Sequence, residues 1–358
     1  KEFNFGVDFA VLQNRINITA DAYRRLADGQ IMKSTVPLET GESSLTTNIG
    51  SVQNAGIELG VNFGVIRNQN FTWDVNVAFA RNWSKIKELP SGDDVSNNWF
   101  IGERLNVLRD YTYAGVITAD GVTMHTINGD KHYTLQEVYD KYGPKSPNKL
   151  KWYEGQMAVN DWNDDGKIND EDKQIYGCTD PKWTGSLSST MTYKGFDFSF
   201  MLYTKQGQWS RSYFHEQYMD ISDRGRQKMS FDYYIPAGTP VLDKATGDIT
   251  YLETPHMGAY PYPNNYEKTG GGYFSKSSSG VRYQKTSFVK VKNITLGYTF
   301  PKKWMSKIAV KHLRLYVNVL NPFCFTGYDG FDPEWASANL TDGGPASVTY
   351  QIGANIKF

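Results

Sequence analysis

A chain of 358 residues with 38 basic and 38 acidic side chains has no formal net charge, and so no basic face for a nucleic acid. Two cysteines, Cys178 and Cys324, exclude a disulfide scaffold and leave open whether they pair. Aromatic residues make up 15% of the chain, including 24 Tyr and 9 Trp, a bias toward membrane interfaces and sugar sites, where one end of a ring is apolar and the other wet.

No run approaches the ~18 consecutive apolar residues of a membrane helix, and mean hydropathy is −0.54. Neither fact bears on a β-barrel, whose strands alternate lipid-facing and lumen-facing residues. The chain opens directly on a strand pattern, Lys1-Glu2-Phe3-Asn4-Phe5, with no signal peptide. An outer-membrane protein needs one, so the true N-terminus is expected upstream.

The elements, in chain order, share a period of two. Phe3, Phe5, Val7, Phe9 and Val11 alternate with Asn4, Gly6, Asp8 and Ala10. Ile16, Ile18, Ala20 and Ala22 alternate with Asn17, Thr19, Asp21 and Tyr23. Ile57, Leu59, Val61, Phe63 and Val65 form a third set; Phe71, Trp73, Val75, Val77 and Phe79 form a fourth. Leu187, Met191 and Tyr193 share a face, as do Phe196, Phe198, Phe200 and Leu202. Ile294, Leu296, Tyr298 and Phe300 follow, then Leu313, Leu315, Val317 and Val319. The last set is Val348, Tyr350, Ile352, Ala354, Ile356 and Phe358. These predict about nine strands of roughly ten residues, the length a tilted strand needs to cross a bilayer.

A soluble β-sandwich would also show alternation. Two features favour a transmembrane antiparallel β-barrel. The faces between the apolar ones are rich in Gly, Asn, Thr and Ser rather than Lys and Glu, which suits a crowded wet lumen. The connections also sort by length. Gln13-Asn14, Arg67-Asn68-Gln69 and Lys194-Gly195 are tight turns and Pro301–Val310 a modest one, whereas 27–53, 83–182, 206–287 and 321–346 are long. Short turns on one side and long loops on the other is the barrel rule. With Phe358 in the periplasm, every long segment falls outside the cell. The first strand then lacks a partner before it. Unpaired backbone groups in lipid are costly, so strands outside this sequence are expected to complete the wall.

One segment has metal-ligand spacing. Asp161, Asn163, Asp165, Lys167 through its carbonyl, Asn169 and Asp172 occupy the ligand positions of a calcium loop, and Gly166 sits where the chain must turn. Asp172 replaces the usual Glu, a shorter arm that suits Ca2+ weakly or the smaller Mg2+. An acidic turn without metal is the competing reading. Catalytic motifs are absent: His125, His132, His215, His256 and His312 form no HxxxH pair, and there is no GxSxG, Walker loop or GxGxxG. Rings in the long segments are candidates for substrate or lid contact: Tyr111, Tyr113, Trp152, Trp209, Tyr213, Tyr218, Tyr262 and Tyr273. Packing between loops or an interfacial girdle explains any single ring equally.

The chain resembles the SusC-like TonB-dependent transporters of Bacteroidetes outer membranes. The resemblance rests on Asn54-Ala55-Gly56-Ile57-Glu58, on the Asp161–Asp172 loop followed by Gly177, Pro181 and Gly185, and on Val291–Pro301. It continues through Leu313–Val317, Asn321, Thr326-Gly327-Tyr328 and Gly330-Phe331-Asp332-Pro333-Glu334. Ala55 and Pro322 depart from the usual residues. The resemblance implies an all-β fold, with residues 1–358 as about nine C-terminal strands of a 22-stranded barrel. It also implies a plug and TonB box outside this sequence, a SusD-like surface lipoprotein as lid, and TonB as energy source. It implies glycan or oligopeptide cargo, no covalent chemistry, and a barrel-assembly signal at Phe358. A siderophore-type receptor is the alternative within transport; a secreted calcium-binding carbohydrate-binding or adhesin module, or a glycoside hydrolase, lies outside it.

Overall fold

A computed structural model of the chain describes residues 1–29, 31–35, 44–48, 50–89, 92–142, 153–218, 232–262, 282–306, 310–338 and 344–358. Its main feature is one nine-stranded antiparallel sheet in which every strand pairs with its neighbours in chain order. The strands are β1 (Glu2–Val11), β2 (Ile16–Asp28), β3 (Ser51–Arg67), β4 (Phe71–Glu88), β5 (Trp183–Tyr193), β6 (Phe196–Gln206), β7 (Phe288–Thr299), β8 (His312–Thr326) and β9 (Thr349–Lys357). Up-and-down order with no crossover is barrel topology; a sandwich requires strands to change sheet.

Register turns the alternation of each strand into a property of the whole sheet. One row of paired residues runs Phe9, Ile18, Val61, Val77, Leu187, Leu202, Val291. The next row, on the opposite face, runs Ala10, Asn17, Asn62, Asn76, Ser188, Met201. A slip of one residue would exchange the two faces, so hydrocarbon on one side and water on the other hold the register. The apolar face stays uncovered from the first strand to the last: Phe3 is 69% exposed, Leu296 53% and Ile352 87%. So broad an apolar surface on a folded chain marks contact with lipid or another protein. At the short-turn end it closes in a row of rings, Phe71–Tyr193, Phe196–Tyr298, Tyr298–Phe300 and Phe300–Trp304, with centroids 4.5 to 6.4 Å apart. Barrels carry such a girdle where hydrocarbon meets water.

The polar face is joined side chain to side chain. Asn76 donates to Ser188, Thr295 to Asn318, and Asn318 to Gln351. Arg314 donates to Asp197 at 2.9 Å across Gly297, where a Cβ would lie 2.6 Å from both side chains. Asp21 and Glu58 stand directly opposite each other, an unfavourable like-charge pair for a purely structural face.

Short turns and extended strands both follow from local sequence. Leu12, Gln13 and Asn14 all adopt positive φ between β1 and β2, as do Lys194 (φ +46) and Gly195 (φ +93) between β5 and β6. Asn68 accepts the N–H groups of Asn70 and Phe71 and so closes the turn before β4. Strands β3 and β4 have 17 and 18 residues, longer than the ten expected, and the extra length lies at the long-connection end. Strand β8 also runs to Thr326, into the segment read as a loop from 321. Asn321 (φ +50) and Pro322 sit in a bulge opposite Lys292. A bulge is where a strand tolerates proline, so the Asn-Pro pair marks a kink and not an end.

Candidate functional site

The connection between β4 and β5 builds a unit with its own core. Val107–Tyr111 pairs with Lys173–Cys178, Tyr113–Val116 with Met157–Val159, and Val122–Thr126 with Gly129–Tyr133. Helix α1 (Leu135–Tyr142) starts with Thr134 and Glu137, each accepting the other's backbone N–H, a capping box. Its inner face places Val138 and Tyr139 against Tyr111, Ile117, Met124, Tyr153, Val159 and Ile168. Ile168 belongs to the Asp161–Asp172 segment, so that loop is part of this core. Within it Asp161 and Asp172 are fully buried. Asp161 accepts the N–H of Gly166 at 2.9 Å and the hydroxyl of Tyr142 at 2.7 Å, with the Lys141 ammonium at 3.3 Å. Asp172 accepts the N–H groups of Asn163 and Asn169. Burial, more than the nearby Asp161, pushes the Asp172 carboxyl above its usual range.

A second connection, between β6 and β7, locks onto this unit. Trp209–Arg211 pairs with Tyr283–Lys285 and helix α2 (Tyr213–Tyr218) follows. The Tyr176 ring lies 4.9 Å from Tyr283 and 5.7 Å from Trp209, and Tyr283 donates to Asp110 at 3.0 Å. Tyr234 donates to Glu154 at 2.7 Å. Two polar clusters then fasten the connection after β8. In the first, Ser212 Oγ meets His215 Nδ1 at 2.7 Å and His215 Nε2 meets Asp329 at 2.6 Å, with Tyr260 donating to the other Asp329 oxygen. In the second, Lys290 on β7 donates to Asp332 at 2.8 Å and Glu334 at 2.6 Å, and Lys292 also reaches Glu334. Ser212, His215 and Asp329 copy the connectivity of a hydrolytic triad. Ser212 and His215 are fully buried, however, and the serine hydroxyl is also held by Tyr328 at 2.7 Å. The cluster is a latch between loops. The reading of separate histidines missed it, since Asp329 lies 114 positions from His215 and Tyr260 lies 45, and no local pattern announces them.

Sequence comparison places these features among known proteins. The chain is 29% identical to a TonB-dependent receptor of Formosa agariphila over 386 aligned positions, covering 99% of this chain and 35% of the receptor. It is 28% identical to the TonB-dependent receptor SusC of Bacteroides thetaiotaomicron over 361 positions, covering 99% of this chain and 31% of SusC. The chain is similar to both receptors along its whole length. It spans about a third of the curated relatives it matches. No family model matches it. Among solved structures, the RagAB peptide transporter aligns with a TM-score of 0.66 at 18% identity, over 100% of this chain and 35% of that one; this likeness is one of fold. These relatives indicate the outer membrane, and the uncovered apolar face of the sheet suits contact with lipid.

Several residues of the motifs that carry the resemblance have visible physical jobs. Gly56 lies under the Tyr23 ring, which would clash with a Cβ at 2.5 Å, and Gly177 lies under Trp209 in the same way at 2.4 Å. Gly330-Phe331-Asp332-Pro333-Glu334 delivers the two carboxylates to Lys290, and Phe331 packs 4.6 Å from Phe214. The terminal Phe358 is 80% exposed beyond the last strand.

The proposed contact rings fall into three groups. Tyr111 is buried, and burial together with Asp170 pushes its hydroxyl up to about 12. Tyr113 is half-buried and donates to the Ala259 carbonyl at 3.2 Å. Trp209, Tyr213 and Tyr262 are half-buried among the interlocked connections, with Tyr262 N–H bonded to Gly155. Trp152, Tyr273 and the side chain of Tyr218 lie outside the described residues. The structure therefore brings Tyr111, Tyr113, Trp209 and Tyr262 into one loop layer but gives each a partner within the chain. Cys178 is buried, Cys324 exposed, and both are free thiols.

Proposed function

We propose that this chain is the C-terminal wall and loop layer of a TonB-dependent importer that carries an oligomeric nutrient, glycan or oligopeptide, across the outer membrane. The observation that carries this reading is the register-locked sheet: an apolar band on one face, a hydrogen-bonded polar face on the other, and interlocked connections at one end only. The remaining barrel and plug belong to the same protein, TonB supplies the energy, and a SusD-like lipoprotein covers the loop layer. RagAB is a peptide transporter and SusC a TonB-dependent receptor; both cargo classes therefore enter the test. The chemistry required is binding and passage alone, in keeping with a latch serine sealed from substrate. Phe358 serves assembly, as the last residue after β9.

The test is uptake by cells expressing the complete protein with its neighbouring lipoprotein. Fluorescent oligosaccharides and oligopeptides are supplied separately, with and without TonB depletion. Import of one class that disappears on TonB depletion is expected. TonB-independent entry, or turnover of polysaccharide by the purified protein, would overturn the proposal. Accumulation of iron chelates alone would select the siderophore alternative.

A further inference from the structure

We propose that the Asp161–Asp172 segment is a calcium site that clamps the first loop unit to the barrel wall. The argument begins with an unbalanced charge. Asp161 and Asp172 are both completely buried in one short loop. A buried carboxylate is expensive unless opposite charge and donors surround it. Lys141 contributes one ammonium at 3.3 Å and itself keeps 30% of its surface exposed. Of the three loop carboxylates Asp161, Asp165 and Asp172, that ammonium pairs with Asp161 alone.

The second observation is an orphaned oxygen. Asp161 Oδ2 receives Gly166, Tyr142 and Lys141, but Oδ1 is closed off from solvent and no donor reaches it. A fully buried carboxylate oxygen without a donor is rare and calls for a partner, an ion or a water. The other oxygens of the loop are held in place by the backbone and keep lone pairs to spare. Asn163 accepts from Asp165 at 3.2 Å, Asp165 from Lys167 at 2.7 Å, and Asn169 from Glu171 at 2.8 Å. Asp164, at a non-ligand position, is turned away to Lys131 and Asn128.

The donor set consists of oxygen alone: Asp161, Asn163, Asp165 and Asp172 side chains, the Lys167 carbonyl, and water over Asn169. Among the described residues no three His, Cys, Asp or Glu side chains are already gathered at ion-binding distance, so Asp161, Asp165 and Asp172 would have to close in on an ion together. The site therefore depends on amide and carbonyl oxygens, a mixture that suits calcium with its six to eight flexible oxygen ligands over magnesium. The consequence is mechanical. Ile168 enters the core beside Tyr111 and Tyr153, Lys141 and Tyr142 end helix α1, and Lys173 starts the strand leading to β5. One ion would tie all three together.

The experiment uses the complete transporter in detergent, stripped with EGTA and titrated with calcium chloride or terbium. Trp162, the second residue of the loop, is the indole nearest in sequence to the ligand positions and serves to sensitise bound Tb3+. The expected result is indole-excited terbium luminescence displaced by calcium, one calcium retained per chain above the Asp161→Asn variant, and at least tenfold slower proteolysis of residues 107–178 with calcium. Asp165 is exposed, so Asp165→Asn should leave the fold intact and weaken calcium binding about tenfold by lowering ligand charge. That variant, and chelation of the unaltered protein, keep the test decisive if Asp161→Asn does not fold. Equal proteolysis with and without EGTA, or no calcium above that bound by the variants, would overturn the site. Displacement of terbium by magnesium at lower concentration than by calcium would overturn the choice of ion.

Discussion

The wall and the loop layer are built by opposite rules. In the wall, backbone ladders join each strand to its neighbours in chain order, and side chains are sorted by the medium each face meets. In the loop layer no medium does the sorting. Its order comes from a compact core around Met124 and Tyr153 and from single long-range contacts such as Tyr283 to Asp110 and Lys290 to Asp332. The wall should therefore tolerate change on its polar face and fail on its apolar one, while the loop layer should fail at a few joints.

Four measurements break or sharpen this contrast. The largest effect is expected at the joint between the regions. Lys290 is 3% exposed between Asp332 and Glu334, and among the described residues Lys290→Met leaves Asp332 with no cation and Glu334 with Lys292 alone. Loss of about 3–5 kcal/mol is expected, read as faster hydrogen exchange in residues 327–336 with little change in β1 to β6. Next is a matched pair in one strand. Leu187→Arg puts a charge on the lipid face and should cost about 2–4 kcal/mol in detergent or bilayer unfolding, whereas Ser188→Arg should cost under about 1 kcal/mol. Equal costs would remove the two-media account of the wall.

Gly195→Ala tests the short-turn end. At φ +93 a side chain is strained, and its Cβ would lie 2.8 Å from the Thr299 carbonyl; a loss of about 1–3 kcal/mol is expected, seen as slower barrel assembly. The smallest effect is the pH response of the latch. Burial raises the Asp329 carboxyl, but hydrogen bonds from His215 and Tyr260 outweigh it and hold the group below its usual value. Its stabilising contribution is thus complete above the unfolded carboxylate value of about 3.9 and is lost as pH falls through the lower folded value. Residues 256–262 should keep their exchange protection from pH 7 to pH 5 and lose it only in stronger acid, while Asp329→Asn should lose part of it at neutral pH. Asp329 is half-exposed, so solvent screening keeps this effect small.

Much of the wall is legible from single residues. Phe3 to Val11, or Leu313 to Val319, need no partner to show which face meets lipid, because each alternation is read within its own strand. Strand ends are less legible. Glu88 and Thr326 lie beyond the hydrocarbon, where alternation weakens, and Asn321-Pro322 imitates a terminus while making a bulge. The twelve-residue loop is also visible in sequence, since its ligand positions are fixed by spacing. That Asp161 is fully buried with one oxygen unanswered is not, because burial depends on α1 and on the core around Ile168.

The sequence alone therefore determined a β wall with one oily and one wet face, its strand count and the sorting of its connections, because those properties are written in neighbours two residues apart. Tertiary structure alone decided which rings are buried, how Ser212, His215 and Asp329 meet, and how Lys290 receives Asp332 and Glu334. Those contacts join segments tens of residues apart, and their energy exists only once the chain has brought the groups together and excluded water from between them.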